Sequence, residues 1–130
     1  MIKRIILLII CFSLLIGCSS SPKDVRKEIY SRVVTTVESI EKAMENGELI
    51  SEHDQKQFEN LYNKYIGSGQ YHEDLTEKER ELLEATRKFF EQYFWYYGIR
   101  YTLKDLESAE LYKEKKLDKS WETVKILLDR

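Results

Sequence analysis

Hydrophobic residues recur every three or four positions along most of the chain, and nothing alternates with period two for long. That pattern predicts helices rather than strands. Val25, Ile29, Val33, Val37, Ile40 and Met44 are spaced 4-4-4-3-4 and fall on a stripe about 120° wide. Ser21 as N-cap with Pro22 at the first helical position predicts the start of this helix, and Asn46-Gly47 its stop. The β-branched run Val33 to Val37 argues for strand in isolation, but it is embedded in the longer helical period.

Ser51 and Asp54 have the spacing of a helix cap, and Phe58, Leu61, Tyr62, Tyr65 and Ile66 follow as the apolar side of a second helix ending at Gly67. Thr76 with Glu79 forms a capping box for a third. Its buried face is Leu82, Leu83, Phe89, Phe90, Tyr93, Phe94 and Tyr97, and Gly98 ends or kinks it. Thr102 with Asp105 predicts the start of a fourth. There Leu103, Leu106, Ala109, Leu117, Trp121, Val124 and Leu128 share a stripe, interrupted by Lys113-Glu114-Lys115-Lys116, where a break is expected. Short connections between four helices predict an all-α, antiparallel bundle over residues 22–130.

Residues 1–17 are of another kind. Met1-Ile2-Lys3-Arg4 is positively charged, Ile5 through Ile16 is apolar except for Ser13, and the small Gly17 precedes Cys18. This order is that of a secretory signal peptide. At about 1.5 Å per residue the apolar stretch reaches about 20 Å, too short for a hydrocarbon core of about 30 Å.

Leu15-Ile16-Gly17-Cys18 resembles the lipobox of bacterial lipoproteins, with Leu at −3, a small residue at −1 and Cys at +1. Ile16 departs from the more usual Ser or Ala at −2. The resemblance covers residues 1–18 only. It implies that Cys18 receives a diacylglycerol thioether and becomes the mature N-terminus, so that acylated Cys18 anchors the chain in the bilayer. Cys11 would leave with the signal and Cys18 would carry lipid, leaving no thiol for a disulfide, so the core must suffice. Two acyl chains clear the threshold for stable anchoring that one does not reach. Ser19, Ser20 and Ser21 alone separate the lipid from Pro22, a reach of at most about 10 Å. A domain so tethered stays near the headgroups.

Once residues 1–17 are removed, residues 18–130 carry 19 basic and 23 acidic side chains, net −4. That is a chain for one core, without the composition of a disordered segment or the basic excess of a duplex nucleic-acid binder. Charge is uneven. Residues 18–37 carry net +2, residues 38–84 net −8, and residues 85–130 net +2. The acidic stretch fits solvated faces and helix-start carboxylates favoured by the dipole. It is also the charge that would steer a basic partner or keep that end off anionic lipid.

Candidate chemistry is sparse. No P-loop, nucleophile elbow, HExxH or EF-hand pattern occurs. His53 and His72, with Asp54, Glu73 and Asp74, supply ligand types that suit zinc, but their separation along the chain does not force them together. The reading is therefore no cofactor, no metal and no catalytic set. Eight aromatics lie between residues 89 and 101. Most fall on the apolar stripe, whereas Trp95 sits among Glu84, Lys88 and Glu91, and Tyr96 just beyond the stripe's edge. Trp and Tyr are enriched at interface hot spots and membrane interfaces, so Trp95 and Tyr96 are the expected contact residues.

The sequence thus predicts a non-enzymatic, lipid-anchored helical module outside the cytoplasmic membrane, contacting a membrane or envelope protein. Small lipoproteins acting as exclusion or immunity factors of mobile elements are similar in size and architecture, without a shared motif. A small-ligand-binding lipoprotein would need a concave apolar pocket between helices, and an envelope hydrolase a convergence of histidine and carboxylates.

Overall fold

The computed structural model describes residues 21–67 and 74–130. Residues 1–17, expected to form a signal peptide, and Cys18, His72 and Glu73 lie outside the described residues. Four helical rods form an up-down-up-down bundle, with no strand among the described residues.

Helix α1 spans Lys27–Asn46. It does not start at Pro22, as the Ser21-Pro22 pair predicts. Residues 22–25 form a turn closed by the Val25 N–H on the Pro22 carbonyl at 3.1 Å, and Asp24 is left-handed at φ 72°. Two long-range bonds compete with the helix here. The Arg26 N–H donates to Glu79 Oε1 at 2.8 Å, and the Thr76 hydroxyl donates to the Asp24 carbonyl at 2.6 Å. Those backbone groups serve the start of the third helix instead of a first turn of their own. The stop is as expected. Gly47 adopts φ 66°, and the Glu48 N–H returns to the Ala43 carbonyl at 2.9 Å, a left-handed cap that glycine reaches without strain.

Helix α2 runs Glu52–Tyr62 and widens into a π segment, Asn63–Gly67. Ser51 caps it, accepting from the Asp54 N–H at 3.1 Å. Helix α3 covers Glu77–Tyr97 behind a complete Thr76–Glu79 capping box. It continues through Gly98 as a second π segment, Gly98–Thr102. The fourth rod, α4, is built of Leu106–Tyr112, a π segment Lys113–Leu117, and Asp118–Leu127. Its N-cap is Asp105, accepting from the Ser108 N–H at 3.0 Å. Thr102 instead belongs to the preceding π segment.

The expected break in α4 proves to be a widened turn. Ala109 and Leu117 are both fully buried, yet their spacing in a regular α-helix would set them about 80° apart. One i→i+5 turn absorbs an extra residue, so the apolar side stays in register.

Ile29, Val33, Val37 and Ile40 of α1 meet Phe58 and Leu61 of α2, Leu82, Leu83, Phe89 and Tyr93 of α3, and Leu117, Val124 and Leu128 of α4 in one buried core. No buried side-chain polar atom among the described residues lacks a hydrogen-bond partner. Two residues expected in this core are outside it. Leu103 and Leu106 are 72% and 59% exposed, because α4 begins only at Leu106 and none of the described residues covers that end. No helix among the described residues is long and apolar enough to cross a membrane.

The two ends of the bundle differ in how they are closed. At the Pro22 end, buried Glu79 joins α1 to α3. It accepts from the Arg26 and Thr76 N–H groups, and the Arg26 guanidinium lies 3.3 Å away. Glu28 there receives the Tyr65 hydroxyl at 3.1 Å, and the Tyr30 hydroxyl reaches the Leu128 carbonyl. At the far end, Tyr93 is the fastener. Its hydroxyl donates to the Glu48 carbonyl at 2.7 Å and accepts from the Ile50 N–H at 3.2 Å. Tyr101 also reaches this turn, its hydroxyl lying 2.9 Å from where a methyl on Gly47 would stand.

Candidate functional site

Trp95 lies on the outward side of α3, 66% exposed. The helical period puts it there. It follows Glu84, Lys88 and Glu91 on the solvent side, all exposed, while its neighbours Tyr93 and Tyr96 turn inward. Arg87 and Glu91, one turn below, pair at 2.8 Å. No hydrogen bond reaches the Trp95 indole N–H among the described residues.

Trp95 forms one wall of a shallow depression with Phe90, Glu91, Phe94 and Gly98. A methyl group built on Gly98 would meet nothing within 4 Å, so the backbone here is open to close approach. A second depression, lined by Phe58, Glu59, Tyr62, Asn63 and Arg87, shares Phe90 and Glu91 with the first. Together they follow the α2–α3 seam. Its floor is aromatic, with Phe90 centred 5.2 Å from Phe58 and 4.9 Å from Phe94. Its lower end is polar. The Arg87 guanidinium stacks 4.4 Å over the Tyr62 ring, and the Tyr62 hydroxyl lies 3.2 Å from both Glu84 carboxylate oxygens. Burial, then the Glu84 charge, pushes the Tyr62 phenol up.

Tyr96 does not share this surface. It is 8% exposed, because one residue further along α3 is a rotation of about 100°, toward α4. The Arg100 guanidinium sits 6.0 Å over its ring, and burial raises its phenol pKa. Its exposure depended on where α4 packs, which the periodicity of α3 alone does not contain.

The chain's other tryptophan shows the opposite arrangement. Trp121 on α4 donates its indole N–H to Glu41 of α1 at 2.7 Å, and the Lys125 ammonium lies 3.6 Å over its ring. It lines a small groove with Glu41, Met44, Glu45, Lys113, Leu117 and Asp118. Its indole N–H and ring face are both engaged within the fold, whereas among the described residues no such partner reaches Trp95. Glu41 sits on the first helix and Trp121 on the last, so local sequence reasoning could not pair them.

His53 stands in the first turn of α2, beside a shallow depression with Arg32, Thr35, Thr36, Asp54 and Gln57. Among the described residues, no three histidine, cysteine, aspartate or glutamate side chains are placed to hold a metal ion. The two depressions along the α2–α3 seam are open and aromatic-floored, whereas the one beside His53 is lined by polar side chains.

Comparison with known proteins finds no matching family profile, no similar curated protein and no similar solved structure.

Proposed function

We propose that this chain is a bacterial lipoprotein, anchored through acylated Cys18, that acts without catalysis as a protein-interaction module at the outer face of the cytoplasmic membrane or elsewhere in the envelope. The observation that carries the reading is Leu15-Ile16-Gly17-Cys18 standing shortly ahead of Pro22. The fold takes hold soon after it: the Val25 side chain is buried, and Asp24 and Arg26 are bonded to the start of α3. The slack between lipid and folded domain is then the three serines, about 10 Å at full stretch. A domain held so closely engages neighbours in or on the same membrane. The exposed Trp95 on its aromatic seam supports a contact surface. A role of the exclusion or immunity type for a mobile element is one form such contact takes.

Cys18→Ser tests the anchor. In cell fractionation the variant is expected to leave the membrane fraction or to accumulate as the larger, unprocessed precursor. Normal processing together with unchanged membrane association would overturn the reading.

A further inference from the structure

The exposed apolar side chains are not scattered. Among the described residues, seven large ones are exposed: Leu49, Trp95, Tyr101, Leu103, Leu106, Leu111 and Ile126. All but Ile126 lie in the half of the bundle away from Pro22. Leu49 and Tyr101 belong to adjoining turns, since the Tyr101 hydroxyl would lie 2.9 Å from a methyl built on Gly47. Leu103 and Leu106 flank the turn into α4.

Charge divides along the same axis. The stretches that close the far end, residues 45–54 and 100–110, carry seven acidic and two basic side chains, net −5. The stretches at the Pro22 end, residues 22–30, 62–67, 74–80 and 124–130, carry eight basic and six acidic, net +2. Of the six acids at the Pro22 end three are paired, Glu79 with Arg26, Glu28 with Lys64 and Asp24 with Lys78. At the far end one of the two bases, Arg100, is already taken by Glu110. The exposed carboxylates of Glu45, Glu48 and Glu107 have no ion-pair partner among the described residues.

We propose that the far end of the bundle, centred on Leu103 and Leu106 and rimmed by Glu48 and Glu107, docks a protein segment that is both apolar and basic. Apolar patches of this kind, rimmed by polar groups, mark interaction sites. The unanswered carboxylates select a cationic partner and speed its encounter. They repel an anionic leaflet, so the same surface is unsuited to lipid. Helix α1, with 20 residues, separates the two ends by about 30 Å. The proposal rests on the anchored-module reading for the partner's whereabouts: a membrane or envelope protein presenting a basic, apolar segment about one length of α1 from the lipid surface.

The test is photo-crosslinking of the full chain in its native membranes, with p-benzoylphenylalanine at position 103, 106 or, as comparison, 126. All three side chains are exposed, so the core is undisturbed. Positions 103 and 106 are expected to capture the same protein segment. Sequenced by mass spectrometry, that segment should hold apolar side chains and a net positive charge, and position 126 should not capture it. Adduct yield should fall severalfold when salt is raised from about 0.1 to 0.5 M, which shortens the screening length more than twofold. The double variant Glu48→Lys, Glu107→Lys should lower it similarly. Lipid adducts, adducts with a second copy of this chain, an uncharged or acidic segment, yields indifferent to both changes, or no adduct at all would overturn the docking proposal. Fractionation of the same samples separates the two ideas. A soluble chain that still gives the basic adduct overturns the anchor alone, and a membrane-bound chain without it overturns the docking alone.

Discussion

Tyr93 holds the turn between α1 and α2 through two bonds of its hydroxyl, to the Glu48 carbonyl and from the Ile50 N–H. Burial pushes its phenol from the ordinary 10 up to about 12. A group whose pKa is higher folded than unfolded stabilises the fold at all pH values below the unfolded pKa. That contribution is lost as pH rises toward the folded value. Tyr93→Phe should leave the Glu48 carbonyl and Ile50 N–H without these partners and cost about 1–3 kcal/mol near neutral pH. It should also flatten the fall in stability between pH 10 and 12, measured by urea unfolding across that range. An unchanged alkaline limb would show that another group controls it. Capping is the residue-scale feature most legible in the sequence, because each cap is a local signal: Ser51 with Asp54, Thr76 with Glu79, and Gly47 alone. Pro22 misleads because Glu79, far along the chain, takes the Arg26 N–H that a helix from Pro22 would have kept. Trp95 could be placed from its own helix, since Glu84, Lys88 and Glu91 mark the outward side. Tyr96 needed knowledge of α4.

At the scale of elements, π segments end α2 and α3 and join the two halves of α4. The one in α4 has the clearest reason: Lys113-Glu114-Lys115-Lys116 inserts one residue too many between Ala109 and Leu117, and the widened turn absorbs it. The Lys113–Asp118 ion pair, at 3.1 Å, spans that turn. Deleting Lys115 should therefore restore a regular helix with the apolar side in register, leaving urea stability within about 1 kcal/mol of the parent. Deleting Glu122 from the regular helix should rotate Val124 and Leu128 out of the core by about 100° and cost several kcal/mol, as lost core side chains do. Equal damage from both deletions would contradict this origin of the π segment. The sequence interruption was visible, but its resolution depended on α3 holding Ala109 and Leu117 on one line. The Leu103 and Leu106 positions show the converse. They continue the α4 stripe in sequence but lie beyond the reach of the other helices, so periodicity marked them as core.

For the whole molecule, an all-α bundle was legible from period and punctuation, because each helix carries an apolar side that only neighbouring helices can cover. The division between its ends was only partly legible: the acidic excess of residues 38–84 stands in the sequence, but which acids meet a base depends on helices brought together by the fold. One polarity organises the described residues, with one end closed by Glu79 and the exposed apolar and unpaired acidic groups collected at the other. The central claim is the lipid, and intact-mass measurement of the protein extracted from membranes tests it most directly. A mature chain beginning at Cys18 and heavier than its sequence by a diacylglyceryl group is the expected result. A chain beginning at Met1, or cut elsewhere and carrying no added mass, would contradict it.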